Sequence, residues 1–197
     1  MHINNTINWD ITCDRFVVYL DILGFKDMIY RESHDNVYKK LLSVHELMKS
    51  VQPKIKQEDG MDNIFYISQF SDSIIIISKD DSYVSFGALA IIMRHIVSML
   101  IIKGIAIKGA CAHGKITIDR EKLIFFGQPL IDAYLLEEDV YYYGIVCHNS
   151  FEKQINEEDY IRFYKKFVDP NINIWQSCFF TDKTKLKSGD ITHANID

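Results

Sequence analysis

The chain has 197 residues, a length that one folded domain ordinarily accounts for. Hydrophobic residues make up 48% of it and charged residues 25%, which indicates a globular core and excludes a disordered chain. The formal net charge of -5 excludes the basic surface that binds the backbone of a nucleic-acid polymer, so no such partner is expected.

The sequence indicates a cytoplasmic protein without a membrane segment. Residues 1–14 are polar and lack the apolar core of a signal peptide. The longest apolar run, residues 84–107, is interrupted by Arg94 and Lys103, which a bilayer would accommodate only at high energetic cost. This run is therefore interpreted as a core helix that leads into a strand. Four cysteines without CxxC spacing are expected to be reduced and to form no zinc site.

Hydrophobic patterns predict the element order β-α-β-β-α-β-β up to residue 126. Residues 16–23 form a β-branched and aromatic run that ends at Gly24, which is typical of a buried strand. Residues 33–51 carry apolar side chains at helical spacing, with Ser33 or Asp35 as the N-cap. The later predictions are a polar loop over 57–63, a hairpin of strands 64–70 and 74–78, a helix over 83–102, and strands over 105–113 and 123–126.

The remainder of the chain is predicted to continue the same domain. Pro129 opens a helix over residues 130–138, because proline suits the first helical turn. The later predictions are a strand over 141–147, a helix over 149–154, a strand over 163–168 and a last apolar run over 175–180. We expect one domain over residues 1–197, with a core at about 14–150 and a C-terminal extension over 151–197.

Two aspartates are placed where they can share divalent cations. Asp21 lies near the end of a predicted strand and Asp72 at the hairpin tip, and neighbouring strands are only about 5 Å apart. Mg²⁺ and Mn²⁺ take oxygen ligands, commonly one or two carboxylates plus substrate phosphates, and the backbone carbonyl of Ile22 could add another. Each aspartate alone could instead be structural, as a group bonded to backbone amides or as a turn residue. An aspartate inside an apolar run needs a compensating partner, however, which favours the metal interpretation.

Four segments of the chain resemble, in order, the motifs of class III nucleotidyl cyclases. They are LDILGF at residues 20–25, FSDS at 70–73, GACAHGKI at 109–116, and FG at 126–127 before a helix with Ala133 and Glu137. The resemblance covers residues 16–147.

The resemblance implies a ferredoxin-like α/β palm in which helices back an antiparallel sheet. Asp21, the Ile22 carbonyl and Asp72 would bind two Mn²⁺ or Mg²⁺ ions. Substrate contacts would include the main chain of Ile22 and the turn Leu23-Gly24-Phe25, together with Ser71 beside the second aspartate. The substrate would be a nucleoside triphosphate, cyclised in a head-to-tail homodimer whose interface forms two composite sites.

The residues at the base-reading positions depart from those of purine cyclases. Such enzymes read adenine with a lysine and an aspartate, at positions that here hold Ser68 and Ile124. The whole pattern is similar to the compact bacterial pyrimidine cyclases of Pycsar antiphage systems. It implies that UTP or CTP is converted to a cyclic monophosphate, which a separate effector protein senses. A purine-specific cyclase is kept as an alternative.

The positions that stabilise the transition state also depart from the family. The family's Asn and Arg would fall near Ile131 or Asp132 and at Leu135, where this chain has no arginine. Lys115 is the best replacement candidate for triphosphate contact, and Lys108 and Arg94 are weaker ones. The alternatives are a non-catalytic cyclase homologue that binds a nucleotide or a partner, and a diguanylate-cyclase or polymerase palm. Lack of Gly-Gly before the hairpin acid disfavours the palm.

Overall fold

The computed structural model describes residues 9–51, 64–167 and 179–196. The predicted loop over 57–63 and most of the run over 175–180 lie outside these residues. The elements found are β1 Thr12–Ile22, α1 Phe25–Arg31, α2 His34–Val51, β2 Phe65–Phe70, β3 Ser73–Ser78, α3 Tyr83–Ile102, β4 Ile107–Asp119, β5 Ile124–Gly127, α4 Gln128–Asp139, β6 Gly144–Cys147, α5 Asn149–Glu152, α6 Glu157–Phe167, β7 Phe179–Leu186 and β8 Gly189–Ile196.

The sheet has the strand order β2-β3-β1-β4-β6-β8-β7, and β5 pairs with β4 outside that path. Strand β1 is antiparallel to both β3 and β4, and β2 is antiparallel to β3. This arrangement is the βαββαβ pattern of a ferredoxin-like core, as predicted. The sheet is mixed rather than wholly antiparallel, because β4 and β6 pair in parallel. After β5, α4 carries the chain back toward the start of β4, where β6 pairs in the parallel direction with residues 108–111.

The two faces of β1 are buried against different elements. Val18, Leu20 and Ile22 join the large core formed with α2 and α3. The alternate residues Val17 and Tyr19 belong to a second cluster that includes α4. Helix α3 is long and apolar enough to cross a membrane, yet many of its side chains lie in this core. The prediction of a core helix at this position is confirmed.

The C-terminal part differs most from the sequence prediction. Residues 163–168 were predicted as a strand, but helix α6 occupies Glu157–Phe167. Phe163 packs so closely on α3 that a Cβ at Gly87 would lie 2.4 Å from its ring. The short aromatic segment resembled a strand, whereas the longer window has helical periodicity. Helix α1 and strand β8 were not predicted, since α1 has no buried residue and β8 is largely polar.

Gly109 is the point of closest approach between β1 and β4. A Cβ atom there would lie 2.4 Å from Leu20 Cδ2 and 2.7 Å from the Tyr19 carbonyl oxygen. Because one of these atoms belongs to the backbone, a side-chain rotation cannot relieve the clash. Only glycine permits this spacing next to Asp21.

We therefore predict that Gly109→Ala destabilises the protein by about 1–3 kcal/mol, as overpacking usually does. The measurement is chemical unfolding of the full chain. An unchanged unfolding midpoint and slope would show that the two strands can separate at this position without cost.

Candidate active site

Strand pairing brings Asp21 and Asp72 together at one end of the sheet. Asp21 lies in β1 opposite Ser73 of β3. Ser71, whose φ is 57°, and Asp72 form the turn between the paired residues Phe70 and Ser73. The Ile22 N–H donates to the Asp72 carbonyl oxygen over 3.2 Å, which fastens the hairpin tip to the end of β1. The predicted convergence of the two aspartates is present in the structure.

The two carboxyl groups form an electrostatically strained pair. Burial, followed by the charges of Asp72 and Glu137, raises the pKa of Asp21 to about 7, while Lys108 opposes the shift. A hydrogen bond between the Asp21 and Asp72 side chains acts in the same upward direction. Ionisation of a buried carboxyl group beside a second one is unfavourable, and a bound divalent cation would offset this cost.

The donor set at this position suits a hard cation that also binds substrate. Among residues 9–51, 64–167 and 179–196, no three or more His, Cys, Asp or Glu residues are grouped to hold a metal ion. Two carboxylates would therefore need further oxygen atoms from the backbone, water and substrate phosphates. Mg²⁺ and Mn²⁺ are commonly bound in this way, so the residues fit the predicted ions.

The turn after β1 is held in place on both sides. The Leu23 N–H donates to the Ala106 carbonyl over 2.9 Å, and the Gly24 carbonyl accepts the Met28 N–H at 3.0 Å. Gly24 has a φ of 74°, which glycine adopts without strain. The side chain of Phe25 packs on the large core. The turn is thus a fixed backbone segment beside Asp21, although its contact with phosphate remains a prediction.

Lys108 is held in a buried ion pair. Its Nζ lies 2.8 Å from Glu137 Oε1, and the two side chains are only 12% and 4% exposed. Burial raises the pKa of Glu137, and the bond to Lys108 opposes that rise. Sequence reasoning had placed Lys108 among possible phosphate contacts and gave Glu137 no role. The β4–α4 pairing that joins them is a tertiary contact that no local pattern signals.

The other candidate cations do not lie beside Asp21 in the same chain. Lys115 is exposed and opposite Asp14 in β4, seven residues from Lys108 and therefore about 23 Å along the strand. Arg94 is exposed on α3, which covers the opposite face of the sheet from Asp21. Neither side chain can complete this site from its own subunit.

The two base-reading positions lie on β2 and β5 at different distances from Asp21, since Ser68 pairs with the β3 residue that is opposite Tyr19. Ile124 is in β5 opposite Asp119, at the end of β4 remote from Lys108. The Phe125 ring stacks on Tyr66 of β2 with 5.0 Å between ring centroids, and Ser68 follows Tyr66 by two residues. The predicted site residues thus comprise an acidic group at Asp21 and a base-reading group on β2 and β5, of which Ile124 lies remote from Asp21.

The α4 positions that correspond to the family's Asn and Arg present mainly apolar side chains to solvent. Ile131 is 54% exposed and Leu135 is 55% exposed. Asp132 lies between them and faces His148, with 3.8 Å from Oδ2 to Nδ1. These residues leave the corresponding positions of α4 without a cation.

Two solved structures share this arrangement of elements. The catalytic core of a rhodopsin-guanylyl cyclase with converted specificity, in complex with ATPalphaS, matches with a TM-score of 0.59 and 15% identity over 93% of this chain and 94% of that chain. A Trypanosoma brucei adenylate cyclase in its monomeric state matches with a TM-score of 0.58 and 10% identity over 98% and 93%. No family model and no curated protein matches the sequence. The chain has the class III cyclase fold.

The raised pKa of Asp21 predicts that Asp21→Asn stabilises the metal-free protein at alkaline pH. A carboxyl group with a folded pKa of about 7 and an ordinary unfolded pKa destabilises the fold progressively as pH rises from about 4 to 7. The amide removes this effect, so the variant should gain roughly 1–3 kcal/mol at pH 8, allowing for partial exposure, and almost nothing at pH 4.

Unfolding with a chelator present measures this difference. Asp14→Asn is the matched control, because Asp14 is exposed near the other end of β1. Equal effects of the two substitutions at pH 8 would contradict the assigned electrostatic strain.

Proposed function

We propose that the chain is a nucleotidyl cyclase that converts a nucleoside triphosphate to a 3',5'-cyclic monophosphate and pyrophosphate. The observation that carries this proposal is the convergence of Asp21 and Asp72 at the end of β1. The class III cyclase fold supports it, because in this chain that fold carries Asp21 on the first strand and Asp72 at the tip of the following hairpin. Fold alone would not suffice, since one fold can carry several functions.

The chain's own residues have distinct roles in this reaction. Asp21, Asp72 and the Ile22 carbonyl would hold two Mg²⁺ or Mn²⁺ ions, and the Leu23–Phe25 turn and Ser71 would lie along the phosphates. When bound, the ions lower the pKa of the ribose 3'-hydroxyl and offset charge on the phosphates. The 3'-hydroxyl gives its proton to solvent water, and the bond from O3' to the α-phosphorus forms as the bond from that phosphorus to the pyrophosphate oxygen breaks.

A head-to-tail homodimer would complete the site. Lys115 lies about 23 Å along β4 from the residue opposite Asp21. Under this assignment, one chain therefore does not contain a complete site. Leu123, Phe126, Ile131 and Leu135 are exposed apolar residues on β5, α4 and the turn before β5, which is the composition of an interface rather than of a free surface. The partner subunit would supply Lys115 and the base contacts.

The base-reading group favours a pyrimidine. Ser68 and Ile124 cannot reproduce the charged contacts that purine cyclases make to adenine. We therefore infer UTP or CTP as the substrate. The cyclic product would act in the cytoplasm as a second messenger for a separate effector protein in antiphage defence.

The substrate assignment predicts the outcome of a competition assay. With Mn²⁺ and equal concentrations of the four ribonucleoside triphosphates, UTP or CTP should be cyclised at least about tenfold faster than ATP or GTP, a gap of about 1.4 kcal/mol. Mass spectrometry identifies the cyclic products. Asp21→Ala and Asp72→Ala are the inactive controls, since each removes a metal ligand, and each should retain less than about a tenth of the wild-type rate.

Predominant cyclic AMP or cyclic GMP would contradict the pyrimidine assignment and preserve the cyclase. Absence of any cyclic product would favour the non-catalytic homologue. Full activity of the aspartate variants would instead contradict the assignment of Asp21 and Asp72 as metal ligands.

The composite site predicts complementation between two inactive variants. Asp21→Ala lacks the metal site and Lys115→Ala lacks the cation supplied to the partner's site, so a mixed dimer retains one intact site. With random assembly, half of the dimers are mixed, and the mixture should reach about a quarter of wild-type activity. Cyclase activity is measured after the two variants have been mixed and have exchanged subunits, with each variant alone as a control. A mixture no more active than the variants alone would contradict the shared site.

A further inference from the structure

Lys108 lies where it could neutralise Asp21 directly. The two residues are opposite each other in the antiparallel pair of β4 and β1. Side chains of directly opposed residues project from the same face, with Cβ atoms about 4.5–5.5 Å apart. A lysine at that position can reach the carboxylate of its partner and form an ion pair with it. Such a pair would compete with a divalent cation for Asp21.

The structure instead shows the ammonium group held at the end of α4. Lys108 Nζ lies 2.8 Å from Glu137 Oε1 and also donates to the Glu137 carbonyl oxygen over 3.0 Å. Glu137 is in the last turn of the helix, where unpaired carbonyl groups favour a cation. The carboxylate charge and the carbonyl acceptor of one residue together hold the lysine, and the Glu137 side chain is only 4% exposed to water.

We propose that Glu137 is a positioning residue that holds Lys108 away from Asp21 and thereby keeps the Asp21–Asp72 pair available to a divalent ion. This inference rests on the proposed function, because it requires a metal site at the two aspartates. The role differs from simple helix docking. An apolar pair could attach α4 to β4 equally well, whereas an acidic side chain adds a charge that attracts the lysine.

Removing the charge of Glu137 while keeping its size tests the proposal. In Glu137→Gln the ammonium group loses its carboxylate, and the nearest acidic partner across the strand pair is Asp21. Lysine would then occupy the carboxylate that the ion needs. We expect the dissociation constant for Mn²⁺ to rise at least about tenfold, which corresponds to 1.4 kcal/mol. A crystal structure of this variant should show Lys108 Nζ within about 4 Å of the Asp21 carboxylate, the range of an ion pair.

The binding experiment uses Mn²⁺ alone and the metal-free full chain at pH 8, with unbound Mn²⁺ measured by electron paramagnetic resonance. Glu138→Gln is the matched control, because Glu138 is the exposed neighbour of Glu137 and should leave affinity unchanged. Asp21→Asn defines the binding that belongs to the site. Circular dichroism of each variant establishes that it is folded.

A second variant separates retention of the lysine from placement of the helix. Lys108→Met with Glu137→Met replaces the ion pair by apolar side chains of similar size, which proteins often tolerate. It should bind Mn²⁺ within about threefold of wild type, since no lysine remains to compete. Affinity as weak as that of Glu137→Gln would show that the position of α4 is responsible and would overturn the proposal.

Failure of the inference and failure of the proposed function give different results. If Glu137→Gln binds Mn²⁺ as tightly as the wild type, and wild-type binding depends on Asp21, then the role of Glu137 is wrong and the metal site stands. A wild-type chain that shows no Asp21-dependent binding of Mn²⁺ removes the metal site, and the role of Glu137 is then wrong as well.

Discussion

Burial of the Asp21 carboxyl group beside Asp72 is the constraint around which this end of the molecule is organised. Burial and the charge of Asp72 raise the pKa of Asp21 to about 7, so the fold is less stable with Asp21 ionised. The Ile22 N–H nonetheless fastens the Asp72 turn against β1, and the close contact at Gly109 keeps β4 beside it. Structural roles alone would favour a neutral residue at position 21. The proposed metal ions, which need both charges, would explain why the strain is present.

The length of β4 keeps Lys115 away from the aspartates of the same chain. The strand runs from Ile107 to Asp119, so it carries Lys108 beside the aspartates and Lys115 far from them. Strand β5 folds back from its distant end and meets β2 through the Phe125–Tyr66 stack. Because β4 is rigid along its length, it cannot bring Lys115 and the aspartates of the same chain to one substrate molecule. Two copies in opposite orientation can place the acidic group of one chain against the base-reading group of the other.

The core and the acidic pair could be predicted from sequence because their signals are local. The apolar run around Asp21 identifies β1, and the Ser-Asp-Ser turn between two apolar runs identifies the hairpin. The Lys108–Glu137 pair could not be predicted, since it joins residues 29 positions apart through the packing of α4 on β4. Helix α6 was predicted as a strand because a short aromatic segment does not distinguish the two periods.

Under the proposed function, the exposed apolar residues on α4 would make catalysis depend on dimer formation. Where class III cyclases carry a cation on this helix, this chain exposes Leu135. Under the proposed function, a single subunit would hold the acidic pair without the positive charge that stabilises a departing pyrophosphate, and that charge would come from another chain. The same exposed residues can bury apolar area in a dimer, which links the arrival of the missing cation to interface formation. Metal binding would then be a property of one chain, and turnover a property of the pair.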